Sequence, residues 1–405
     1  MAKINLHIKN SIQKCHFNNS IFKKFSKNFN KIVSQVNLDI KNKEKTLNIL
    51  SDDFKFNFRT KDLEKFKKFK TIVLIGMGGS ILGAEAINNF LKKKIKKKIY
   101  FFDNIDSKKI LEFKKKEELN KSLFLVISKS GNTIETISNF LSLNIIKKNS
   151  KNIIIISEKK DNLLYLISIK FNLFFIEHKN YIGGRYSIFS ETGIIPAHLM
   201  GINISKFRKD LKRFTKTKER TFLKESVLKL SSILTKKKYT NLIFLNYVPE
   251  LEKFLYWCQQ LIAESLGKKG KGFLPVISNV PKDHHSLLQL YLDGPKDKIF
   301  HIFSIDENLK KKINTKKISN RLVLINKKSI NDIKIAQKKA LIRSLKEKKI
   351  PFREFKLKKI NEETLGELFS YFILETVIIG KLINVNPFDQ PAVEHVKKYT
   401  KNLLN

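Results

Sequence analysis

Short apolar runs alternate with helix-like stretches along most of the chain. They fall at 71–75, 99–102, 123–127, 153–156 and 173–176, each followed by polar sequence with apolar positions three and four apart. After a polar, helical stretch at 205–237 the theme restarts, with runs at 241–245, 276–278, 299–303, 322–325 and 352–357. Near-continuous apolar strands separated by amphipathic helices predict βα units and mainly parallel sheets, an α/β fold. The predicted organisation is an N-terminal arm (1–50), a first domain (51–204), a helical linker (205–237), a second domain (238–384) and a C-terminal turn and helix (385–405). Sheets of this kind bind ligands outside the carboxyl ends of their strands, and the cleft between two lobes is the expected site.

Composition narrows the classes. With 405 residues, 42% of them apolar, the chain can fill two hydrophobic cores. No uncharged apolar run reaches the roughly 18 residues of a membrane span. The N-terminus lacks the apolar core of a signal peptide and the arginine- and serine-rich pattern of an organellar presequence. Cys15 and Cys258 lie far apart without metal-ligand spacing, so a reducing cytoplasm is expected. The formal charge of +44 raises nucleic acid as a partner, yet only eight of the 81 basic residues are arginine, the side chain favoured for specific nucleic-acid contacts. Lysine is spread alongside abundant Asn, Ile and Phe, which reads as a drift toward A/T-rich codons, and no nucleic-acid partner is expected. The densest lysine run, 92–98, reads as a solvated helix end. Such a positive field still speeds the arrival of an anionic metabolite.

The stretch LFLVISKSGNTIET at 123–136 carries the most specific chemistry. A strand-like run leads directly into Ser128, Lys129, Ser130, Gly131, Asn132 and Thr133, and a helical pattern starts at Ile134. Three hydroxyls, a glycine that permits close backbone approach and the free N–H groups of a first helical turn suit a phosphate. A plain helix cap needs one hydroxyl rather than three. Upstream, Gly76-Met77-Gly78-Gly79-Ser80 partly matches a dinucleotide fingerprint, but only Asp103 stands near the place of its acidic residue. Gly79 and Ser80 either bring backbone close to a sugar or phosphate, or form a purely structural turn.

Four further segments carry candidate groups. Gly183 and Gly184 precede Arg185, whose guanidinium is suited to a developing negative charge; a local pair with Glu177 or Glu191 is the alternative. A helix from near Pro249, with Leu251, Leu255, Cys258 and Ile262 on its apolar stripe, puts Gln260 and Glu264 on one face and ends at Gly267. A carboxylate there can act as a general base in a closed site, or be an ordinary surface residue. In Lys282-Asp283-His284-His285-Ser286, Asp283 is expected to cap the following helix, and one imidazole can exchange protons near neutral pH. A surface histidine doublet is the competing reading, and zinc is not expected without a third ligand nearby. Finally, Pro387-Phe388-Asp389-Gln390-Pro391 forms a rigid turn that aims a terminal helix, on which Glu394 can pair with Lys397 or Lys398.

Together these segments resemble the glucose-6-phosphate isomerase family over about residues 70–400, in the family's order. Gly380 through FDQPAVEHVK, ending at Lys397, fits one family signature without a gap. NYIGGRYSIFSETG at 180–193 fits the other through Ser190, and Glu191 stands where the family has a small residue or proline. The resemblance implies two flavodoxin-like sugar-isomerase (SIS) domains and interconversion of glucose 6-phosphate and fructose 6-phosphate without metal or cofactor. It assigns the catalytic glutamate to Glu264, ring opening to His285 and Lys397, and the arginine beside the intermediate to Arg185. Substrate-binding positions fall on Gly79, Ser80, Ser128, Lys129, Ser130, Gly131, Asn132, Thr133 and Gln260, and His284 receives no role. It further implies a homodimer whose active site lies at the subunit interface, with the histidine supplied by the partner.

Two alternatives remain at this point. SKSGNT is closer to the wider SIS family than to the form SKTFTT of many glucose-6-phosphate isomerases, which keeps mannose 6-phosphate as a second substrate. A non-catalytic phosphosugar sensor would carry an attached helix-turn-helix, and residues 1–50 show no convincing one.

Overall fold

The computed structural model describes residues 5–305, 311–315, 318 and 320–404. The arm opens with a strand, β1 (Leu6–Asn10), and continues into a long helix, α1 (Asn19–Lys41). The Asn18 side chain caps α1 by accepting from the N–H groups of Ser20 and Ile21. Phe25, Phe29, Val33, Val36 and Ile40, three or four apart, form its buried stripe.

The five apolar runs of the first half become β2 (Thr71–Gly76), β3 (Lys98–Phe102), β4 (Ser122–Ile127), β5 (Ile153–Ser157) and β6 (Phe174–Glu177). They pair in parallel in the order β3-β2-β4-β5-β6. That is the flavodoxin-like order, in which the chain reverses direction across the sheet beside its first strand. The second half supplies β7 (Asn241–Asn246), β8 (Leu274–Asn279), β9 (Lys298–Ile305) and β10 (Phe352–Leu357). Their sheet runs β1-β10-β9-β7-β8. It repeats the same order over four parallel strands, and β1 adds an antiparallel edge, from Leu6 opposite Leu357 to Asn10 opposite Arg353.

One expected strand is absent. The run at 322–325 lies in a one-turn helix, Asn320–Leu322, and the turns that follow, with Val323 and Leu324 exposed by 74% and 87%. β10 pairs directly with β9, so the sheet has no place for a strand between them. A four-residue apolar run carries no periodicity that separates a strand from a loop.

Side-chain alternation divides each sheet between two cores. Ile72, Leu74, Leu123 and Leu125 of the first sheet share one continuous apolar cluster with Leu242, Phe244, Ile299 and Phe355 of the second. Val73, Ile75, Phe124 and Val126 face a separate cluster behind the first sheet, and Ile243, Leu245, Phe300 and Ile302 face another behind the second. The longer helices around the site and its core are α2 (Leu82–Phe90), α3 (Ile134–Ser142), α4 (Thr217–Leu234), α5 (Glu252–Leu266), α6 (Glu362–Leu382) and α7 (Pro391–Leu404). α6 is buried on nearly every side, a pattern expected of a core helix. Phe369 of α6 meets Trp257 of α5 edge to face, ring centres 4.6 Å apart. Among the described residues no helix is long and apolar enough to cross a membrane.

Candidate active site

The six residues after β4 fold as the hydroxyl turn that the sequence predicted. Ser128 and Thr133 join hydroxyl to hydroxyl at 2.8 Å, and Ser130 Oγ lies 3.5 Å from Thr133 Oγ1. Thr133 occupies the N-cap of α3 without a side-chain capping bond, so the first-turn N–H groups are not consumed by it. Gly131 has φ +67°, and a Cβ there would lie 1.7 Å from Asn162 Oδ1; its place in the motif is set by packing. Asn132 Oδ1 accepts from the Leu163 N–H at 2.9 Å. Lys129 turns sideways, donating to the Asn180 carbonyl at 2.7 Å and approaching Glu158 at 3.7 Å. Burial pushes its ammonium below the usual lysine range, against the pull of Glu158.

The two glycine motifs, more than a hundred residues apart, meet backbone to backbone. A Cβ on Gly79 would lie 2.2 Å from the Gly184 carbonyl carbon and 2.5 Å from the Arg185 nitrogen. Ser187 Oγ holds the contact, donating to the Gly184 carbonyl at 2.7 Å and reaching the Gly79 carbonyl at 3.4 Å. Ser80 sits half-buried in the same turn. Gly78, at φ +52°, lets the Gln260 amide lie against it, where a Cβ would stand 2.8 Å from Gln260 Nε2.

Arg185, 3% exposed, emerges from this contact in the short helix Gly184–Phe189. It pairs with neither Glu177 nor Glu191. Its Nε donates to Ser265 Oγ at 2.8 Å, and Nη1 to Glu264 Oε2 at 3.2 Å and Gln390 Oε1 at 3.0 Å. Nη2 donates to the carbonyls of Pro387 at 2.7 Å and Asp389 at 3.0 Å. Five donors thus find five acceptors, three of them in the C-terminal turn. Gln260 Nε2 donates to the other oxygen of Glu264 at 3.0 Å, one helical turn away on α5 as the i, i+4 spacing predicts. The glutamate is oriented from both sides, yet its side chain keeps 28% of its exposure.

The remaining candidates stand apart. Asp283 does not cap the next helix; its carboxylate accepts from Ser278 Oγ at 3.0 Å and the Asn279 N–H at 2.8 Å, tying the histidine turn to the carboxyl end of β8. His284 faces inward, 3.2 Å from the Tyr247 hydroxyl, and burial lowers its pKa. His285 is exposed, and among the described residues no hydrogen bond or ion pair links it to Glu264, Arg185 or Gln260. Lys397 lies exposed on α7; the side chains of Glu394 and Lys398, expected to pair there, lie outside the described residues. Glu191 is fully buried with Oε1 accepting from the Asn57 N–H at 2.8 Å, and burial pushes its pKa up. Among the described residues no group of three or more His, Cys, Asp or Glu is placed to hold a metal.

Comparison with known proteins bears on this arrangement. The family model described as phosphoglucose isomerase matches residues 39–405. The chain belongs to the phosphoglucose isomerase family. It is 34% identical to the glucose-6-phosphate isomerase of Methanocaldococcus jannaschii over 85% of this chain and 87% of that one. The Campylobacter jejuni glucose-6-phosphate isomerase is 31% identical, over 89% and 90% of the two chains. In fold the chain is similar to a hypothetical protein of Thermus thermophilus, with TM-score 0.83 and 21% identity over 98% and 99% of the chains. It is also similar to a glucose-6-phosphate isomerase from Chlamydia trachomatis, with TM-score 0.78 and 16% identity over 99% and 88%.

In this chain, motif reading missed the residues that hold the catalytic candidates together. Trp257 Nε1 donates to the Arg185 carbonyl at 3.1 Å. Tyr186 bridges Ser265 at 2.9 Å and the Pro387 carbonyl at 2.8 Å. Lys268 Nζ reaches the carbonyls of Asn386 and Asp389, both at 2.5 Å, and Asp389 Oδ1 at 2.6 Å. Ser265 and Lys268 lie one and four residues past Glu264, a proximity that was the only signal available. Tyr186 and Trp257 are fully buried and belong to the core as well.

Proposed function

We propose that Glu264 is the base in the reversible isomerisation of glucose 6-phosphate and fructose 6-phosphate that this enzyme catalyses. The observation that carries the proposal is the glutamate itself, its side chain 28% exposed with Gln260 on one oxygen and Arg185 on the other. Glu264 takes the proton from C2 of the open-chain sugar and returns it to C1 through a cis-enediol. One carboxylate serves both carbons because they lie on the same side of a planar intermediate. Arg185 is a fixed cation beside the enediolate; its five bonds hold it in place before charge develops, so little reorganisation accompanies the step. Ser128, Ser130, Thr133 and the first turn of α3 hold the phosphate, and that remote binding orients the reacting carbons. His285 and Lys397 move protons between the ring oxygen and O1 to open the ring.

The enzyme works as a homodimer in this reading, with His285 supplied across the interface. The exposure of His285 and of Val396, Tyr399 and Leu403 on α7 supports it, since such surfaces suit a second copy of the chain. Two free cysteines, Cys15 exposed and Cys258 buried, agree with a cytoplasmic setting. Gly131 of SKSGNT is required by its positive φ and by Asn162, and the relatives reported above are glucose-6-phosphate isomerases, so glucose 6-phosphate is the favoured substrate.

A coupled assay of glucose 6-phosphate formation, comparing wild type with Glu264→Gln, tests the reading. Activity in the wild type and a loss of roughly 10³-fold or more in the variant are expected, with substrate binding retained. Equal turnover in both would remove Glu264 as the base.

A further inference from the structure

The strongest unassigned feature is the grip on the C-terminal turn. Lys268 follows the end of α5, four residues beyond Glu264, and its side chain is 13% exposed. Its ammonium makes three bonds to the turn, at the carbonyls of Asn386 and Asp389 and at Asp389 Oδ1. The Asp389 carbonyl also accepts from Arg185 Nη2, so two cations share one acceptor, and one of them touches Glu264. The same aspartate is held internally by Asn386 Nδ2 at 2.9 Å. Lys268 keeps the Asp389 carboxyl below the usual range. Two residues after Asp389, α7 begins at Pro391.

We infer that Lys268 is a positioning residue: with Asp389 it forms a clasp that sets the direction of α7 and so the place of Lys397 relative to Glu264. This rests on the reading of Lys397 as a ring-opening group. Lys397 lies six residues into α7, about 9 Å along the helix axis. A tilt of roughly 10° at Pro391 therefore displaces it by about 1.5 Å, and a misplacement of about 1 Å can cost roughly 10²-fold in rate. Glu264 itself is held from α5 by Gln260, and Arg185 keeps Ser265 of the same helix when the turn shifts, so loosening the clasp disturbs ring opening more than the proton transfer between carbons.

The test separates the two steps with two substrates. Fructose 6-phosphate must open its ring, whereas 5-deoxyfructose 6-phosphate lacks the hydroxyl that closes it. Lys268→Met is expected to lose about tenfold or more in kcat on the cyclising sugar while staying within about twofold of wild type on the acyclic one. Asp389→Asn, which keeps the carbonyl bonds, shows the same selectivity with a smaller loss. Equal losses on both sugars would reduce Lys268 to a general structural role, and no loss on fructose 6-phosphate would overturn the clasp outright. Retained turnover of the acyclic sugar also shows that the variant is folded. Lys397→Met is the benchmark for the parent reading and must itself discriminate between the sugars. If it does not, the role given to Lys397 fails, and the clasp fails with it.

Discussion

Two parts of the site differ in how far a single chain completes them. Around Glu264 the apparatus is finished: Arg185 uses all five donors, Gln260 holds the second oxygen, and Ser265, Tyr186 and Trp257 brace the guanidinium and its backbone. Around His285 and Lys397 it is not: both side chains are exposed, one on a turn after β8 and one on a terminal helix with apolar residues facing outward. In the proposed mechanism the difference follows the chemistry. Carbon-to-carbon proton transfer needs a base fixed to within a fraction of an ångström. Ring opening is proposed to use groups that come into place only when a second copy packs against the first.

The sharpest way to break that contrast is to mix two inactive enzymes. Glu264→Gln and His285→Asn, each nearly inactive alone, are expected to recover about a quarter of wild-type activity when unfolded together and refolded as equal mixtures. Half of the dimers are then mixed, and each mixed dimer keeps one of its two sites intact. Failure to recover activity, with mixed dimers shown to form, would place His285 and Glu264 in the same subunit's site.

Next in size, Arg185→Lys is expected to lose roughly 10²- to 10³-fold in kcat, because an ammonium cannot reproduce five bonds in a planar fork. Its melting temperature should fall as well, since Ser265, Gln390 and two carbonyls lose their donor. A variant that lost activity without losing stability would show that the tether to the C-terminal turn is incidental.

The neighbourhood of the hydroxyl turn carries a pH signature. His178, buried beside the Lys129 loop, is lowered by burial to about 4. The unfolded chain takes up this proton near 6.5 and the folded chain only near 4, so acidification between those values favours unfolding. Urea unfolding of wild type should lose about 3 kcal/mol more than His178→Gln over that window. Identical slopes would show that the imidazole finds a partner when protonated. His301, buried against Arg353, shifts in the same direction, so the variant keeps part of the acid sensitivity.

The smallest effect belongs to the phosphate turn. Ser128→Ala with Thr133→Ala is expected to raise KM about tenfold, in line with the loss of one or two hydrogen bonds to a charged group, with a lesser fall in kcat. A change in kcat alone would mean that these hydroxyls act on the reacting carbons instead.

Much of this was legible because sheet strands buried on both faces are continuous apolar runs, and nine of the ten expected runs became strands. β1 escaped because it is a short, half-exposed edge: Leu6 and Ile8 face inward while His7 and Lys9 face solvent. Its partner, β10, lies more than three hundred residues away. The misread run at 322–325 shows the opposite failure, apolar composition without a place in the sheet.

By itself the sequence determined the α/β class and singled out the hydroxyl turn and the candidates Glu264, Gln260, Arg185, His285 and Lys397, because these depend on local pattern or on motifs contiguous in the chain. Only the tertiary structure decided that Gly79 lies against Gly184, that Arg185 bonds Glu264 rather than Glu177 or Glu191, and that Lys268 grips the turn before α7. Such contacts join segments some hundred residues apart, and their partners are fixed by close packing and hydrogen-bond satisfaction, which no periodicity along the chain records.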